Sequence, residues 1–149
     1  MTDGLDIDTV LVPIDGSDEA DLAVEYAVTI AARYDAAVHA MVVLDEDASR
    51  AVEDGTIDAE AAASEAQSIS AAAAAVAERE GVAFADSTAL GFSTTRKLVH
   101  PGSVILDAAE QISADFLVVP RESDLEEDDV LEKAAEYVIT YASQPVLSV

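Results

Sequence analysis

Short apolar runs alternate along the chain with longer segments in which apolar residues recur every three or four positions. Nearly continuous apolar runs that end at turn or polar residues predict buried strands, and they fall at residues 9–14, 36–44, 82–90, 116–119 and 145–149. The segments between them predict amphipathic helices, which follow Ser17 and then occupy residues 57–80, 103–113 and 130–142. In the first helix, we expect two rows of residues on the buried face: Leu22/Tyr26/Ile30 and Ala23/Ala27/Ala31.

The turn residues support this division of the chain. Asp15, Gly16 and Ser17 follow the first apolar run, and Ser17 can cap the next helix, while Gly81 ends the second helix. Strands that alternate with helices, without a repeat or a linker, predict one α/β domain over residues 1–149, with a mainly parallel sheet and helices on both faces. Ligands of such sheets lie beyond the carboxyl ends of the strands, where the strand order reverses.

The charge balance narrows the classes of partner. The 149 residues include 31 Asp and Glu against 7 Lys and Arg, a net charge of -24. Such a surface repels nucleic acid and anionic membranes. Because the acids are spread along the chain, we interpret them as an adaptation to salt-rich cytoplasm, as in a halophilic archaeon; the alternative is an acidic surface for a cationic partner.

Residue usage excludes further kinds of chemistry. The chain has no cysteine and only two histidines, which excludes disulfides, thiolate ligands, a cysteine nucleophile and a His-rich metal site. No signal peptide and no apolar run of membrane-spanning length is visible, so we expect a soluble, cytoplasmic protein. No Gly-x-Ser-x-Gly elbow marks a serine hydrolase, and we predict that the protein is not an enzyme.

Three segments together resemble the universal stress protein (UspA) family. They are VLVPIDGS at residues 10–17, ILDAAE with ADFLVV at residues 105–110 and 114–119, and QPVLSV at residues 144–149. The resemblance covers nearly the whole chain and implies a Rossmann-like, adenine nucleotide alpha hydrolase-like fold with five parallel strands in the order 3-2-1-4-5. It also implies a homodimer through the last strand, with Pro145, Val146, Leu147 and Val149 at the interface and the fourth helix beside them.

ATP-binding members of that family carry Gly-x2-Gly-x9-Gly-Ser/Thr after the fourth strand, and this chain departs from the pattern. Pro120 and Ser123 stand at the first two glycine positions, Glu132 and Lys133 fall near the Gly-Ser pair, and Arg121 is the other base of the segment. Six carboxylates occupy the same stretch: Glu122, Asp124, Glu126, Glu127, Asp128 and Asp129. Like charges repel a triphosphate, so we expect no cofactor and disfavour ATP. The acids either form a solvated, salt-adapted loop or hold Mg²⁺ or Ca²⁺, and Mg²⁺ bridging to a nucleotide would restore ATP binding.

The adenine half of the family pocket is better preserved. The resemblance implies that the base or ribose would lie beside Pro13, Asp15, Gly16, Val43 and Pro120. Asp15 is equally typical of a carboxylate that only forms the turn. If it has the family role, the site would accept a smaller or neutral adenine-like ligand.

A basic loop is the other unusual segment. Residues 91–101 are longer than the usual family loop and contain Arg96, Lys97 and His100. The loop either binds an anion or an acidic protein partner, or only offsets neighbouring acids. His39, inside the second strand, is predicted to be a structural residue with a hydrogen-bond partner.

Three functions remain for comparison. The leading hypothesis is a non-enzymatic, homodimeric stress-response or regulatory module, and the alternative is an ATP- or AMP-binding member with Mg²⁺-assisted binding and at most weak hydrolysis. A phospho-acceptor receiver domain would need an Asp after the third strand and a Lys near the fifth, where this chain has Leu90-Gly91 and Ser143-Gln144.

Overall fold

The computed structural model describes residues 6–44, 55, 59–90, 101–120 and 130–149. Within these ranges helices and strands alternate as the apolar pattern predicts. The order is β1 (Thr9–Ile14), α1 (Asp18–Tyr34), β2 (Ala37–Leu44), α2 (Ala59–Arg79), β3 (Phe84–Leu90), α3 (Pro101–Gln111), β4 (Phe116–Val119), α4 (Val130–Tyr141) and β5 (Val146–Ser148).

The strands form one parallel sheet in the order β3-β2-β1-β4-β5. This confirms the predicted sheet and its adenine nucleotide alpha hydrolase-like α/β architecture. Helices α1 and α2 contact each other, and α3 and α4 contact each other. Right-handed crossovers place the two pairs on opposite faces of the sheet, because the chain moves towards β3 in its first half and towards β5 in its second.

Capping residues fix the start of α1 and the end of α2. Ser17 Oγ accepts a hydrogen bond from the Ala20 N–H at 3.1 Å, which confirms the predicted cap of α1. Gly81 follows α2 with φ +71, in the left-handed region that glycine tolerates best, and the Val82 N–H beyond it donates to the Ala77 carbonyl at 2.9 Å.

Asp115 ties the start of β1 to the start of β4. Its Oδ2 accepts hydrogen bonds from the backbone N–H groups of Asp8 at 2.9 Å and Thr9 at 3.1 Å. Its own N–H donates to the Thr9 carbonyl at 2.9 Å. A carboxylate that accepts two amide hydrogen bonds makes stronger bonds than a neutral group, so this residue sets the relative position of β1 and β4.

The core consists mainly of alanine and valine. Its largest fully buried side chains include Leu11, Met41, Ile105 and Leu117, and alanines fill most of the positions where α1 meets the sheet. The Ala23/Ala27/Ala31 row is buried as predicted, but the Leu22/Tyr26 row was wrongly assigned to the buried face. Leu22 and Tyr26 are 50% and 45% exposed, because the sheet lies against the alanine row and the adjacent Val24 and Val28.

One helix begins earlier than predicted. α3 starts at Pro101 rather than Ser103. Proline is tolerated there because the N–H groups of the first helical turn have no intrahelical partner, so the N–H that proline lacks would form no helical hydrogen bond. It ends at Gln111, and Ser113 then adopts a left-handed φ of 56. The loop predicted after β2 lies outside the described residues except at Gly55.

The two edges of the sheet differ in character. β3 exposes Ala85, Asp86, Ser87 and Thr88, whereas Val146 and Leu147 of β5 are half-buried. The described helices include none that is long and apolar enough to cross a bilayer.

Candidate functional site

The candidate site lies at the carboxyl ends of β1, β2 and β4. β1 has β2 on one side and β4 on the other, with Ile14 opposite Val42 and Leu11 opposite Leu117. The connection from β1 leads to β2, and the later chain enters on the other side at β4, so β1 marks the point where the strand order reverses. A parallel sheet opens a crevice at that point.

The turn after β1 is tightly organised. Asp15 Oδ1 accepts a hydrogen bond from the Ser17 N–H at 3.0 Å, so this carboxylate shapes the turn that its residue type predicts. Gly16 has φ +84, and a Cβ at this position would lie 3.3 Å from both Cγ1 and Cδ1 of Ile69 on α2. The backbone of Gly16 is exposed, and Ile69 limits the space on one side of it.

Carboxylates dominate the electrostatics beside this turn. Burial raises the pKa of Asp21 above its ordinary value of 3.8, and repulsion from Asp18 and then Asp15 raises it further. The direction of the shift shows that a negative charge at Asp21 is disfavoured by its neighbours. The positive end of α1 is therefore already surrounded by carboxylates, and an incoming polyanion would add to their repulsion.

The residues predicted for the adenine side differ in accessibility. Asp15 is half-buried and Gly16 is exposed, whereas Pro13, Val43 and Pro120 are buried. Pro13 pairs with Met41 across the β1–β2 ladder, and Pro120 directly follows β4. The three buried residues lie beneath the crevice. Within this set, Asp15 and Gly16 are the residues that are accessible to solvent.

The remaining predicted site residues lie partly beyond what the structure describes. Glu132 and Lys133 are in the first turn of α4, where a glycine–serine pair would expose backbone amides in the family motif. Arg121, Glu122 and Ser123 lie outside the described residues, and so do Arg96, Lys97 and His100 of the basic loop.

The sequence did not predict which residues form two polar side-chain pairs that involve β3. His39 Nε2 and Ser87 Oγ lie 2.9 Å apart, which confirms a hydrogen-bond partner for His39. Burial lowers the pKa of His39 and nearby Asp86 opposes the shift. Buried Ser70 of α2 donates to the Asp86 carboxylate. Neighbouring residues of a strand point to opposite faces, so Asp86 contacts α2 while Ser87 contacts His39, and the groups form two separate pairs.

These pairs join residues 48 and 16 positions apart. The β2–β3 register could have indicated the first pair, and only the position of α2 over β3 could have indicated the second. Among the residues with described side chains, no cluster of three histidine or acidic residues has the geometry of a metal site.

A second surface lies at the β5 edge. The Leu117 N–H donates to the Pro145 carbonyl at 3.0 Å, and the Val149 N–H donates to the Val119 carbonyl at 3.0 Å. Backbone directions alternate along a strand, so Val146 directs its N–H and C=O away from β4. α4 contacts β5 and exposes Ile139 (55%) and Tyr141 (64%).

Comparison with known proteins agrees with this architecture. The family model described as Universal stress protein family matches residues 6–149. The universal stress protein UspA from Lactobacillus plantarum is 25% identical with a TM-score of 0.70, and the match covers 98% of this chain and 99% of that one.

Two of the similar solved structures are complexes with a nucleotide. A universal stress protein in complex with cAMP is 21% identical, with a TM-score of 0.65 over 97% of this chain and 98% of that one. The universal stress protein from Archaeoglobus fulgidus in complex with dAMP is 19% identical, with a TM-score of 0.64 over 97% and 98%. A search of curated proteins gives no significant match.

Proposed function

Since the chain belongs to the universal stress protein family, we propose that it is a non-enzymatic, homodimeric regulatory module of the stress response whose site does not bind ATP in the family manner. The site at the carboxyl ends of β1, β2 and β4 instead accepts an adenine nucleoside or its monophosphate. The protein works in salt-rich cytoplasm, to which its acidic composition is adapted.

One observation carries the proposal. From residue 120 to the C-terminus the chain contains no glycine, and six carboxylates lie between Glu122 and Asp129. A triphosphate needs close backbone amides and compensating positive charge. One like-charge pair at about 4 Å costs about 1 kcal/mol in water and about 4 kcal/mol near a protein surface. Carboxylates also lie on the described side of the crevice, where burial and then repulsion from Asp18 and Asp15 raise the pKa of Asp21.

A ligand with fewer phosphate groups than ATP is supported by two similar solved structures and by the turn after β1. The ligands named for the two related complexes, cAMP and dAMP, each carry one phosphate group. Asp15 uses Oδ1 for the turn, and a carboxylate can accept several hydrogen bonds through its two oxygens. It can therefore contact ribose or base without giving up the turn.

The homodimer is supported by the β5 edge. An exposed strand edge promotes pairing with a second strand, and Val146 directs backbone groups outward there. α4 contacts β5 and exposes two large apolar side chains, Ile139 and Tyr141. They lie about 200° apart around the helix, so one of them can extend this edge into an apolar surface.

Ligand binding is tested by calorimetry and thermal shift in molar KCl, with adenosine, AMP, cAMP and ATP, each with and without Mg²⁺. We expect AMP or cAMP to stabilise the protein and ATP to have no effect. Asp15→Asn keeps an oxygen for the turn and should weaken binding, while Asp107→Asn, an exposed carboxylate on α3, should not. Neutralising the six acids between Glu122 and Asp129 should reduce the repulsion of ATP and, because it adds no glycine, give at most weak ATP binding.

Two results would contradict this assignment. ATP binding tighter than AMP binding by the unaltered protein, or phosphate release from ATP with Mg²⁺, would favour the ATP-dependent alternative. Absence of any shift with all four ligands would remove the nucleotide from the proposal.

The dimer is tested by light scattering during size-exclusion chromatography in molar KCl. The expected mass is twice the chain mass of 15.5 kDa. Val146→Pro removes one outward N–H at an edge where proline is tolerated and should give monomers, whereas Val146→Ala keeps the N–H and should remain dimeric. A monomeric unaltered protein, or a dimer that survives Val146→Pro, would contradict pairing through β5.

A further inference from the structure

A groove between α1 and α2 has no role in the functions considered above. It is lined by Asp21, Leu22, Val24 and Glu25 of α1 and by Ala72, Ala73 and Val76 of α2, and its volume is about 400 Å³. The groove exists because the α2 side of the helix pair is built from small residues. Ala73 is buried on the sheet side of α2 and Ala72 is exposed on its solvent side, and neither side chain fills the space against α1.

The floor and the outer wall of the groove are apolar. Val24 and Ala73 are buried and form the floor, and Val76 is half-buried beside them. Leu22 is 50% exposed on the wall, whereas Tyr26, one helical turn further and 45% exposed, is not among the lining residues. Large apolar side chains held open next to an apolar floor are typical of surfaces that bind a partner.

The rim of the groove is negative. Asp21 and Glu25 are one turn apart on α1, and the pKa of Asp21 is raised by burial and by the charges of Asp18 and Asp15. At one end, Arg79 of α2 reaches Glu25, with 2.9 Å between Nη2 and Oε2. Arg79 contacts both carboxylate oxygens of Glu25 and already compensates its charge, so the carboxylate of Asp21 beside it can orient a further cation.

We propose that this α1–α2 groove binds a basic amphipathic helix of a protein partner. The apolar face of that helix would cover the floor together with Leu22 and Val76, and its lysines or arginines would face Asp21 and Glu25. Helix-in-groove recognition uses apolar anchors spaced three or four residues apart, and complementary charge adds specificity and orientation. The alanines of α2 allow the partner helix to approach closely.

Charge argues against a second copy of this chain as the occupant. In a two-fold symmetric contact the same patch meets itself, so Asp21 and Glu25 of one protomer would face the same carboxylates of the other. A cationic helix removes the repulsion that a second copy would increase.

The test uses a fluorescently labelled synthetic helix of about 18 residues, with leucines along one face and lysines and arginines beside them. Its control is a scrambled peptide of the same composition, which keeps the charge and loses the apolar face. Anisotropy titrations with the full-length protein are run in both dilute and molar KCl. We expect the amphipathic peptide to bind at least about tenfold more tightly than the scrambled one in molar KCl, where general attraction to the acidic surface is screened.

Variants locate the binding site. Leu22→Ser should weaken binding about tenfold, as expected when a central apolar anchor is lost. Tyr34→Ser is the matched control, because Tyr34 is 51% exposed on the same helix but does not line the groove, and its binding should be unchanged. Asp21→Asn with Glu25→Gln should weaken binding in dilute KCl more than in molar KCl.

Three results would overturn the proposal. Equal binding of the two peptides would reduce the effect to general electrostatic attraction. Unchanged binding by the Leu22→Ser variant would place the peptide elsewhere. A change in the oligomeric state of that variant would identify a second copy of this chain as the occupant.

Discussion

Substitution of Gly102 by alanine tests the close packing of α3 against α4. Gly102 is buried in the first turn of α3. A Cβ built there would lie 2.5 Å from Cβ, 2.6 Å from Cδ1 and 2.7 Å from Cγ of Tyr137 on α4. The nearest of these atoms belongs to the stem of the side chain, so rotation of the Tyr137 ring cannot relieve the contact.

The expected magnitude follows from two opposing effects. The helices must separate by about 1 Å to accommodate the methyl group, and overpacking of this kind costs about 1–3 kcal/mol. Alanine gains at most about 1 kcal/mol over glycine from helix propensity, and less in a first turn. We therefore expect Gly102→Ala to lower the free energy of unfolding by about 2 kcal/mol, which corresponds to a Tm lower by about 4–8 °C in a chain of this size.

The assay is urea unfolding followed by circular dichroism in molar KCl, at one fixed protein concentration because association affects apparent stability. Gly81→Ala provides the comparison. Gly81 has φ +71 and open space around its Cβ position, so it reports only the cost of a left-handed alanine, about 1–2 kcal/mol. Tyr137→Gly removes all three close atoms, and in that background Gly102→Ala should cost almost nothing.

A stability of Gly102→Ala equal to or above that of the unaltered protein would refute the reasoning. That result would mean that helix propensity decides the outcome and that α3 and α4 are not in close contact at Gly102. A cost that persists in the Tyr137→Gly background would place the strain elsewhere.

Three further predictions concern the fold. Asp115→Ala should lower the free energy of unfolding by about 2 kcal/mol, because it leaves the N–H groups of Asp8 and Thr9 without their carboxylate acceptor. Asp107→Ala, at an exposed position of α3, should change it little. Equal effects of the two substitutions in urea unfolding would contradict this. The free energy of unfolding should rise from dilute to molar KCl as the repulsion within a net charge of -24 is screened, and a flat salt dependence would argue against salt adaptation. Burial lowers the pKa of His39 in the folded protein below its ordinary 6.5, so the unfolded chain takes up this proton first and stability falls as the pH drops through about 6.5. His39→Gln should remove that part of the dependence of stability on pH. Identical pH dependence of the variant and the unaltered protein would show that His39 does not cause it.

The alternation of strands and helices and the ends of several helices could be predicted because they depend on local chemistry, whereas the order of the strands was implied by the family resemblance. Ser17 accepts the amide that a capping serine is expected to accept, and Gly81 adopts the left-handed conformation that ends α2. Each of these outcomes follows from a few neighbouring residues, and the topology then places the candidate site at the end of β1.

Other features depend on packing between distant segments. Leu22 lies on a helical row as regular as that of Ala23, and only the position of the sheet decides which row is buried. Ile69 approaches Gly16 from a helix more than fifty residues away. Asp86 follows no sequence motif, and its contact with Ser70 arises from where α2 crosses β3.

The contrast between the two sheet edges limits how far assembly can proceed. Joining two chains through β5 would produce a continuous ten-stranded sheet with β3 at both ends. There, Asp86, Ser87 and Thr88 are exposed, and polar or charged side chains at a terminal strand discourage the addition of another chain. Growth would therefore stop at two subunits, and the protein could dimerise without polymerising into fibres.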